Sequence, residues 1–511
     1  MKFIMARKSK KKWEFGDFQT PLALAKQAVS VVASDRISPR TIIEPTCGEG
    51  SFLFAAAEQI PDAETIIGID VNPDYISKVK ARIDQSKLAA KTTLISADFF
   101  SYDWDKLVAD LPDPILIIGN PPWVTSSELA LLKSQNLPNK SNFEKHRGYD
   151  AKTGKSNFDI SESMLIKNLE CLSNREGMIA VLCKTAVARK ILLKAWKRND
   201  TLLSAKILRI DAEKHFGASV DACLFVLRIS SRGVSKDCRV YEHLSDKRSA
   251  NVIGFHDDIV VADVALYQKW RHLKGISKEY VWRSGIKHDC SKVMELERVG
   301  EKYRNALGEF VSLEDQYVYP MMKSSDIGNG SNRQKYMLVT QQHTSDNTAQ
   351  IQTTAPKTWS YLNEHKEEFS RRGSSIYRTS QPFSIFGVGP YSFSPWKVAI
   401  SGFYNQLSFR VIGPREKKTV VFDDTVYFLP CWSESEARFI GNLLNSEPAQ
   451  EFYQSMIFWT DKRPITSEVL KRLNLRALAL ELGLENEYER FIQRRSVSKR
   501  SPRQNELELW T

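Results

Sequence analysis

The segment ILIIGNPPWV, residues 115–124, sets Asn120, Pro121, Pro122 and Trp123 directly after an apolar run. Two successive prolines stiffen the backbone and remove two N–H donors. The Pro121 carbonyl and the Asn120 side-chain oxygen then converge on one group that offers hydrogens. An exocyclic NH2 on a planar ring, with two donors, fits that pair of acceptors. Trp123 adds a flat face on which such a ring stacks. An ordinary strand-end turn explains a proline, but not this combination.

Three further sites lie at the ends of other apolar runs. In IIEPTCGEGSFLFAA, residues 42–56, Gly48 and Gly50 allow a tight turn and close approach to a ligand, and Glu44 sits at the strand end. Asp70 ends the next run, TIIGID, at the spacing of an acid that accepts from ribose hydroxyls. Capping of the following helix is the alternative reading of Asp70, and Asn72 or Asp74 serves that purpose equally well. Asp98, in ISADFF, ends a third run and is placed to accept from an adenine amine. Convergence of three strand ends points to a nucleotide-like cofactor more strongly than any one motif.

The elements that must position these residues follow from periodicity. Short apolar runs at Thr41–Ile43, Thr65–Ile69, Thr92–Ile95, Ile115–Ile118, Met178–Leu182, Ala205–Ile210 and Ala222–Leu227 alternate with helical stretches such as Ser51–Gln59, Asp74–Ile83 and Asp159–Leu172. That rhythm predicts an α/β fold with a mostly parallel seven-stranded sheet. The last two runs are joined by a loop around His215–Ser219, too short for a parallel crossover, so they form an antiparallel hairpin. After Ser230 the rhythm is lost; aromatics, Gly and Pro become dense from Ser291 to Pro430, and helical character returns at Glu434–Asn445 and Ser467–Leu484. FDDTVYFLP, residues 422–430, reads as one core strand with Asp423 and Asp424 structural.

Bulk properties bound the answer. At ~150 residues per domain, the length corresponds to about three domains. The expected division is a basic arm over 1–15, a catalytic domain over 16–235, an α+β region over 236–484 and a charged tail over 485–511. Apolar residues make up 42% of the 511, which excludes wholesale disorder, and no apolar run reaches the ~20 residues of a membrane span. Residues 1–12 are basic without the apolar core of a signal peptide, so a cytoplasmic location is expected. Seven scattered cysteines without a C-x-x-C pair read as free thiols, buried at Cys47, Cys171, Cys183 and Cys223. A net charge of +12 favours a polyanionic partner.

In this order the motifs resemble those of the gamma-type N6-adenine DNA methyltransferases of bacterial restriction–modification systems. The resemblance runs motif by motif over residues 16–228 and by general character beyond, where it assigns target recognition to the α+β region over 236–484. It implies a Rossmann-like class I methyltransferase domain that binds S-adenosylmethionine and releases S-adenosylhomocysteine. GDFQTP, residues 16–21, is similar to the motif that closes over the methionine part of the cofactor, through Gln19, Thr20 and Pro21. EPTCGEGSFL resembles the cofactor loop, which implicates Glu44, Pro45, Cys47, Gly48 and Gly50. Asp70 becomes the ribose ligand; Asp98 and Phe99 stand at the adenine, and Asn120 borders the cofactor. NPPW resembles the catalytic motif, with Trp where Tyr or Phe is commoner. NFDISESMLIK, residues 157–167, looks like the following helix motif. HFGASVDACLFVL, residues 215–227, resembles the motif whose aromatic, here Phe216, packs against a flipped base; from its own surroundings in sequence Phe216 reads as a loop aromatic on the core.

The chemistry implied is direct transfer to an amine, with no catalytic metal. Bonds from N6–H to Asn120 and Pro121 localise the nitrogen lone pair; in-line placement of the methyl group supplies ~7–11 kcal/mol of the acceleration. Double-stranded DNA is the implied partner of a monomeric enzyme, with any restriction endonuclease a separate chain. Lys323, Arg371, Arg372, Arg378, Arg410, Arg415, Lys417, Lys418, Lys462 and Arg463 are the candidate DNA contacts, divided between phosphate and base in a way the sequence leaves open. Three alternatives stand beside this reading: an enzyme acting on an RNA base or a release-factor glutamine, an inactive DNA-binding homologue, and a fused restriction–modification enzyme.

Overall fold

The computed structural model describes residues 19–35, 37–85, 88–124, 159–330 and 334–500, with side chains to 495. The expected basic arm, Gly16 to Phe18 of GDFQTP, Asn157 and Phe158, and the tail beyond 500 lie outside the described residues. Two compact units are present, residues 1–264 and 265–511.

The first unit is built on a ten-stranded sheet. Its strands are β1 (Thr41–Glu44), β2 (Thr65–Asp70), β3 (Thr92–Ser96), β4 (Ile115–Gly119), β5 (Gly177–Lys184), β6 (Leu202–Ile210), β7 (Ala222–Ile229), β8 (Asp237–Tyr241), β9 (Asn251–His256) and β10 (Ile259–Val261), in the order β10-β9-β8-β6-β7-β5-β4-β1-β2-β3. β1 pairs in parallel with β2 and β4, and β4 with β5. β7 lies antiparallel between β5 and β6, the hairpin expected from the short loop. The sheet does not stop at residue 235: β8 adds in parallel to β6, and β9 and β10 extend it. A seven-strand expectation undercounts it because these segments, such as NVIGFH, are only partly buried and lack a continuous apolar run.

Burial explains the strand sequences. Ile42, Ile66, Leu116, Ile118, Met178, Ala180, Leu224 and Val226 share one core with α1 (Leu22–Ser34) and α2 (Ser51–Gln59). Their neighbours along the strands, Ile43, Ile67, Ile117, Ile179, Phe225 and Leu227, are buried too. Both faces of the central sheet are therefore covered, as parallel strands require. Helices α3 (Pro73–Asp84), α4 (Trp104–Ala109), α5 (Ile160–Cys171) and α6 (Thr185–Arg198) alternate with the strands; α7 (Ala212–Phe216) sits within the β6–β7 connection.

The second unit, residues 265–511, carries a six-stranded sheet from Glu295 to Phe422 and a four-stranded sheet from Arg283 to Cys431, with helices that include Glu434–Leu444 and Glu485–Arg500. FDDTVYFLP is not one strand. Val421–Phe422 pairs in the six-stranded sheet and Val426–Cys431 in the four-stranded one. Asp423 makes the break, its carboxylate taking the Thr425 hydroxyl and the Thr425 amide. Ser467–Leu484 is likewise interrupted, into Ser467–Leu470 and Leu475–Glu481, because Asn474 caps the second helix.

Candidate active site

Strand order reverses between β1 and β4: β2 and β3 lie to one side of that pair, β5 to the other. Open α/β sheets bind ligands in the crevice at the carboxyl ends of the strands at such a point. Here a cavity of about 430 Å³ opens, within the ~300–1,000 Å³ range of small-molecule sites. Gln19, Thr20, Glu44, Pro45, Cys47, Gly48, Asp70, Asp98, Phe99, Asn120 and Pro122 line it. Pro21, Gly50, Pro121, Trp123 and Phe216 stand outside its walls.

The glycine turn is shaped by two left-handed residues, Gly48 at φ +49° and Gly50 at +79°. Gly50 opens α2 and bonds back to the Cys47 carbonyl at 2.7 Å. A Cβ on Gly48 would lie 2.6 Å from the Gln19 Oε1, so this glycine gives Gln19 its place over the turn. Gln19 Oε1 also accepts the Glu49 amide at 3.0 Å, and the Ser51 hydroxyl donates to the Thr20 carbonyl at 2.7 Å. The start of the described chain is thereby fastened across the loop.

Asp70 belongs to the same construction. Its Oδ2 accepts the Gly48 amide at 2.8 Å and its Oδ1 the Asn72 amide at 2.8 Å. Asn72, not Asp70, caps α3, through the Asp74 amide, with Pro73 at the first helical position. Glu44 is 2% exposed, and its Oε2 accepts the Leu53 amide at 3.0 Å. Burial holds its carboxyl well above the usual carboxylate range, and nearby Asp70 adds to the effect. Burial also raises the Cys47 thiol, helped by Glu44 and Asp70, so Cys47 is a packed neutral group. Asp98 is exposed and holds its own turn, its Oδ1 accepting the Phe100 amide at 3.2 Å. Phe99 packs on Trp104 at 4.8 Å between ring centroids.

No Lys, Arg or His lines the cavity among the described residues, while Asp70 and Asp98 do; Glu44, whose carboxyl burial holds toward the neutral form, adds little charge. Such a lining disfavours a phosphate-bearing ligand and suits a cationic one.

Trp123 is 6% exposed, with its Nε1 donating to the Leu182 carbonyl at 3.2 Å. The Phe216 ring meets it edge to face, 5.1 Å between centroids at 73°. A base held between two parallel rings needs them about 7 Å apart, two van der Waals spacings. The two rings are brought together at less than that spacing, and both pack against the core of the first unit.

Tyr75, Ile160 and Met164 also line the cavity; the motif NFDISESMLIK contains Ile160, Met164 and Asp159, but sequence reasoning gave none of these residues a role and did not find Lys184, which holds the Trp123 carbonyl and pairs with Asp159. Lys184 carries no local signal, since 61 residues separate it from Trp123. In the second unit several candidate DNA contacts already serve internal partners. Lys323 pairs with Glu295 at 2.5 Å, Arg371 with Glu368 at 2.6 Å and Lys418 with Asp315 at 2.6 Å. Arg372 donates to the Ser384 carbonyl at 2.7 Å and stacks on Tyr377. Arg410 packs on the Gly328 carbonyl, Arg415 on the Met322 sulfur and Arg463 over Phe403. Arg378, Lys417 and Lys462 are exposed.

Comparison with known proteins agrees with this architecture. A methyltransferase domain family model matches residues 38–141. The type IIL restriction-modification enzyme MmeI, solved in complex with DNA, superposes with a TM-score of 0.55 at 13% identity, over 88% of this chain and 64% of that one. This chain thus spans a little under two thirds of MmeI, and the likeness is one of fold. The type II methyltransferase M.NspV of Nostoc sp. is 42% identical over 475 residues, 92% of this chain and 98% of the relative. With that identity over nearly the full length of both proteins, the chain belongs to the type II methyltransferases.

Proposed function

We propose that the protein transfers the methyl group of S-adenosylmethionine to the N6 amine of an adenine flipped out of double-stranded DNA, as the modification enzyme of a restriction–modification system. The observation that carries this reading is the acidic, base-free cavity that shares Asn120 and Pro122 with the Asn-Pro-Pro-Trp turn. A nucleoside with a sulfonium and an ammonium group, and no phosphate, fits that lining.

S-adenosylmethionine supplies a methyl group already activated on a sulfonium. The chain does the rest. Asp70, fixed by the Gly48 and Asn72 amides, accepts from the ribose hydroxyls; Asp98 and Phe99 take the adenine end; Gln19 and Thr20 close over the methionine end. Asn120 and the Pro121 carbonyl accept the two amine hydrogens of the target, which localises the nitrogen lone pair and orients it. Flipping costs a few kcal/mol, offset by stacking once Phe216 turns from the edge of Trp123. Residues 265–511 read the DNA sequence, and a separate endonuclease cuts sites left unmethylated. The enzyme acts as a cytoplasmic monomer.

Competition settles the substrate class. Purified protein with labelled S-adenosylmethionine is offered duplex DNA, RNA and release factor together. Label in DNA is the expected result; label confined to RNA or protein would overturn the reading.

A further inference from the structure

The Asn-Pro-Pro-Trp turn is held at both ends. On its entry side, Gly119 lies in register with Val181 of β5. On its exit side, the same strand grips Trp123 twice. Leu182 accepts the indole N–H at 3.2 Å, and Lys184 Nζ donates to the Trp123 carbonyl at 3.0 Å. Lys184 also pairs with Asp159 Oδ2 at 2.8 Å. The other Asp159 oxygen takes the Ser161 amide at 3.1 Å and the Ser161 hydroxyl at 2.6 Å, capping α5. Val124, next along the chain, accepts the Ile160 amide at 2.9 Å. One further bond, from the Thr185 amide to the Asp221 carbonyl at 3.0 Å, fastens this strand end to the loop that follows Phe216.

We infer that Lys184 is a positioning residue for methyl transfer. Its ammonium group, bridging the Trp123 carbonyl and the Asp159 carboxylate, fixes the exit of the proline-stiffened turn and so the aim of Asn120 and Pro121. Two prolines fix φ at Pro121 and Pro122 and so stiffen Asn120–Trp123. A stiffened segment fastened at one end swings; fastened at both, it holds the two acceptors in one orientation. Carbonyl and carboxylate are acceptors only, and an ammonium, with three donors and no acceptor, is matched to both at once. Asp159 is 6% exposed, and Lys184 is its ion-pair partner beside the two Ser161 donors. Lys184 itself does not line the cavity; Val124 and Ile160, which its tie supports, do, so its effect on the cofactor is indirect.

The inference rests on the proposed methyl transfer, and its test separates the two. Lys184→Met, Lys184→Arg and Asp159→Asn are made in the full chain. In Lys184→Met, kcat is expected to fall about ten- to a hundredfold while the cofactor Kd stays within about twofold, since small misplacement of reacting groups is costly when binding is intact. Lys184→Arg recovers part of the loss, because it keeps charge and reach but not the compact ammonium. Hydrogen exchange, which needs no substrate, is expected to speed at the Ile160 and Ser161 amides in both Lys184→Met and Asp159→Asn. Unchanged exchange there, or faster exchange with an unaltered kcat, would overturn the inference. A wild-type protein that transfers no methyl group to DNA would instead count against the proposed activity, leaving exchange to judge the tie.

Discussion

Asp70 Oδ2 accepts the Gly48 amide at 2.8 Å, so the acid at the end of β2 and the glycine turn after β1 form one rigid edge of the cavity. Asp70 is thus both a candidate ligand for ribose and a support of the loop. A hydrogen bond to a charged group contributes ~1.5–3 kcal/mol. Asp70→Ala should weaken S-adenosylmethionine binding by about ten- to a hundredfold on that scale. Isothermal titration with the cofactor checks it, and an unchanged Kd would remove Asp70 from the site.

Glu44 predicts a pH dependence. Burial raises its carboxyl well above the usual range. The folded state therefore holds the proton more tightly than the unfolded one. Stability from this group is complete below the unfolded value of about 4.3 and is lost as pH rises through the folded value. Melting of the cofactor-free protein should show this falling limb, and Glu44→Gln should flatten it. An identical pH profile for the variant would show that Glu44 does not carry the effect.

Phe216 predicts a division between stability and turnover. The edge-to-face contact with Trp123 is worth ~0.5–1.5 kcal/mol beyond area burial, so Phe216→Ala, which also loses packing on the core, should destabilise the fold by at least that much. A base–aromatic stack is worth ~1–3 kcal/mol, so the same variant should methylate DNA about tenfold more slowly or worse. Cofactor affinity should not change, since Phe216 stands outside the cavity. A variant as active as the wild type would leave Phe216 with only its packing role.

The legible part of the fold was the part written in continuous apolar runs. Each of the seven expected strands is present within a few residues, and Ser51–Gln59 is a helix as its pattern requires. Glycine spacing located the turn, and the pair Asn72–Pro73 released Asp70 from capping duty. What local pattern missed is set by distant partners. β8 adds to the edge of β6, β9 to β8 and β10 to β9, placements that lack a continuous apolar run to announce them. Phe422 and Val426 enter different sheets because Asp423 turns the chain between them. The hold of Lys184 on Trp123 depends on which strands are neighbours, which no window of sequence contains.

In the proposed reaction Asn120 and Pro121 present a flipped adenine amine to the methyl group. Its most direct test is nucleoside mass spectrometry of unmethylated DNA treated with wild-type protein and with Asn120→Ala, each first shown to be folded. Wild-type protein is expected to leave N6-methyladenine at one recurring sequence. The variant is expected to lose at least about a hundredfold in rate, the scale of losing a hydrogen bond aimed at the reacting atom. N4-methylcytosine in place of N6-methyladenine, or an Asn120→Ala enzyme that methylates as well as the wild type, would contradict the proposed reaction.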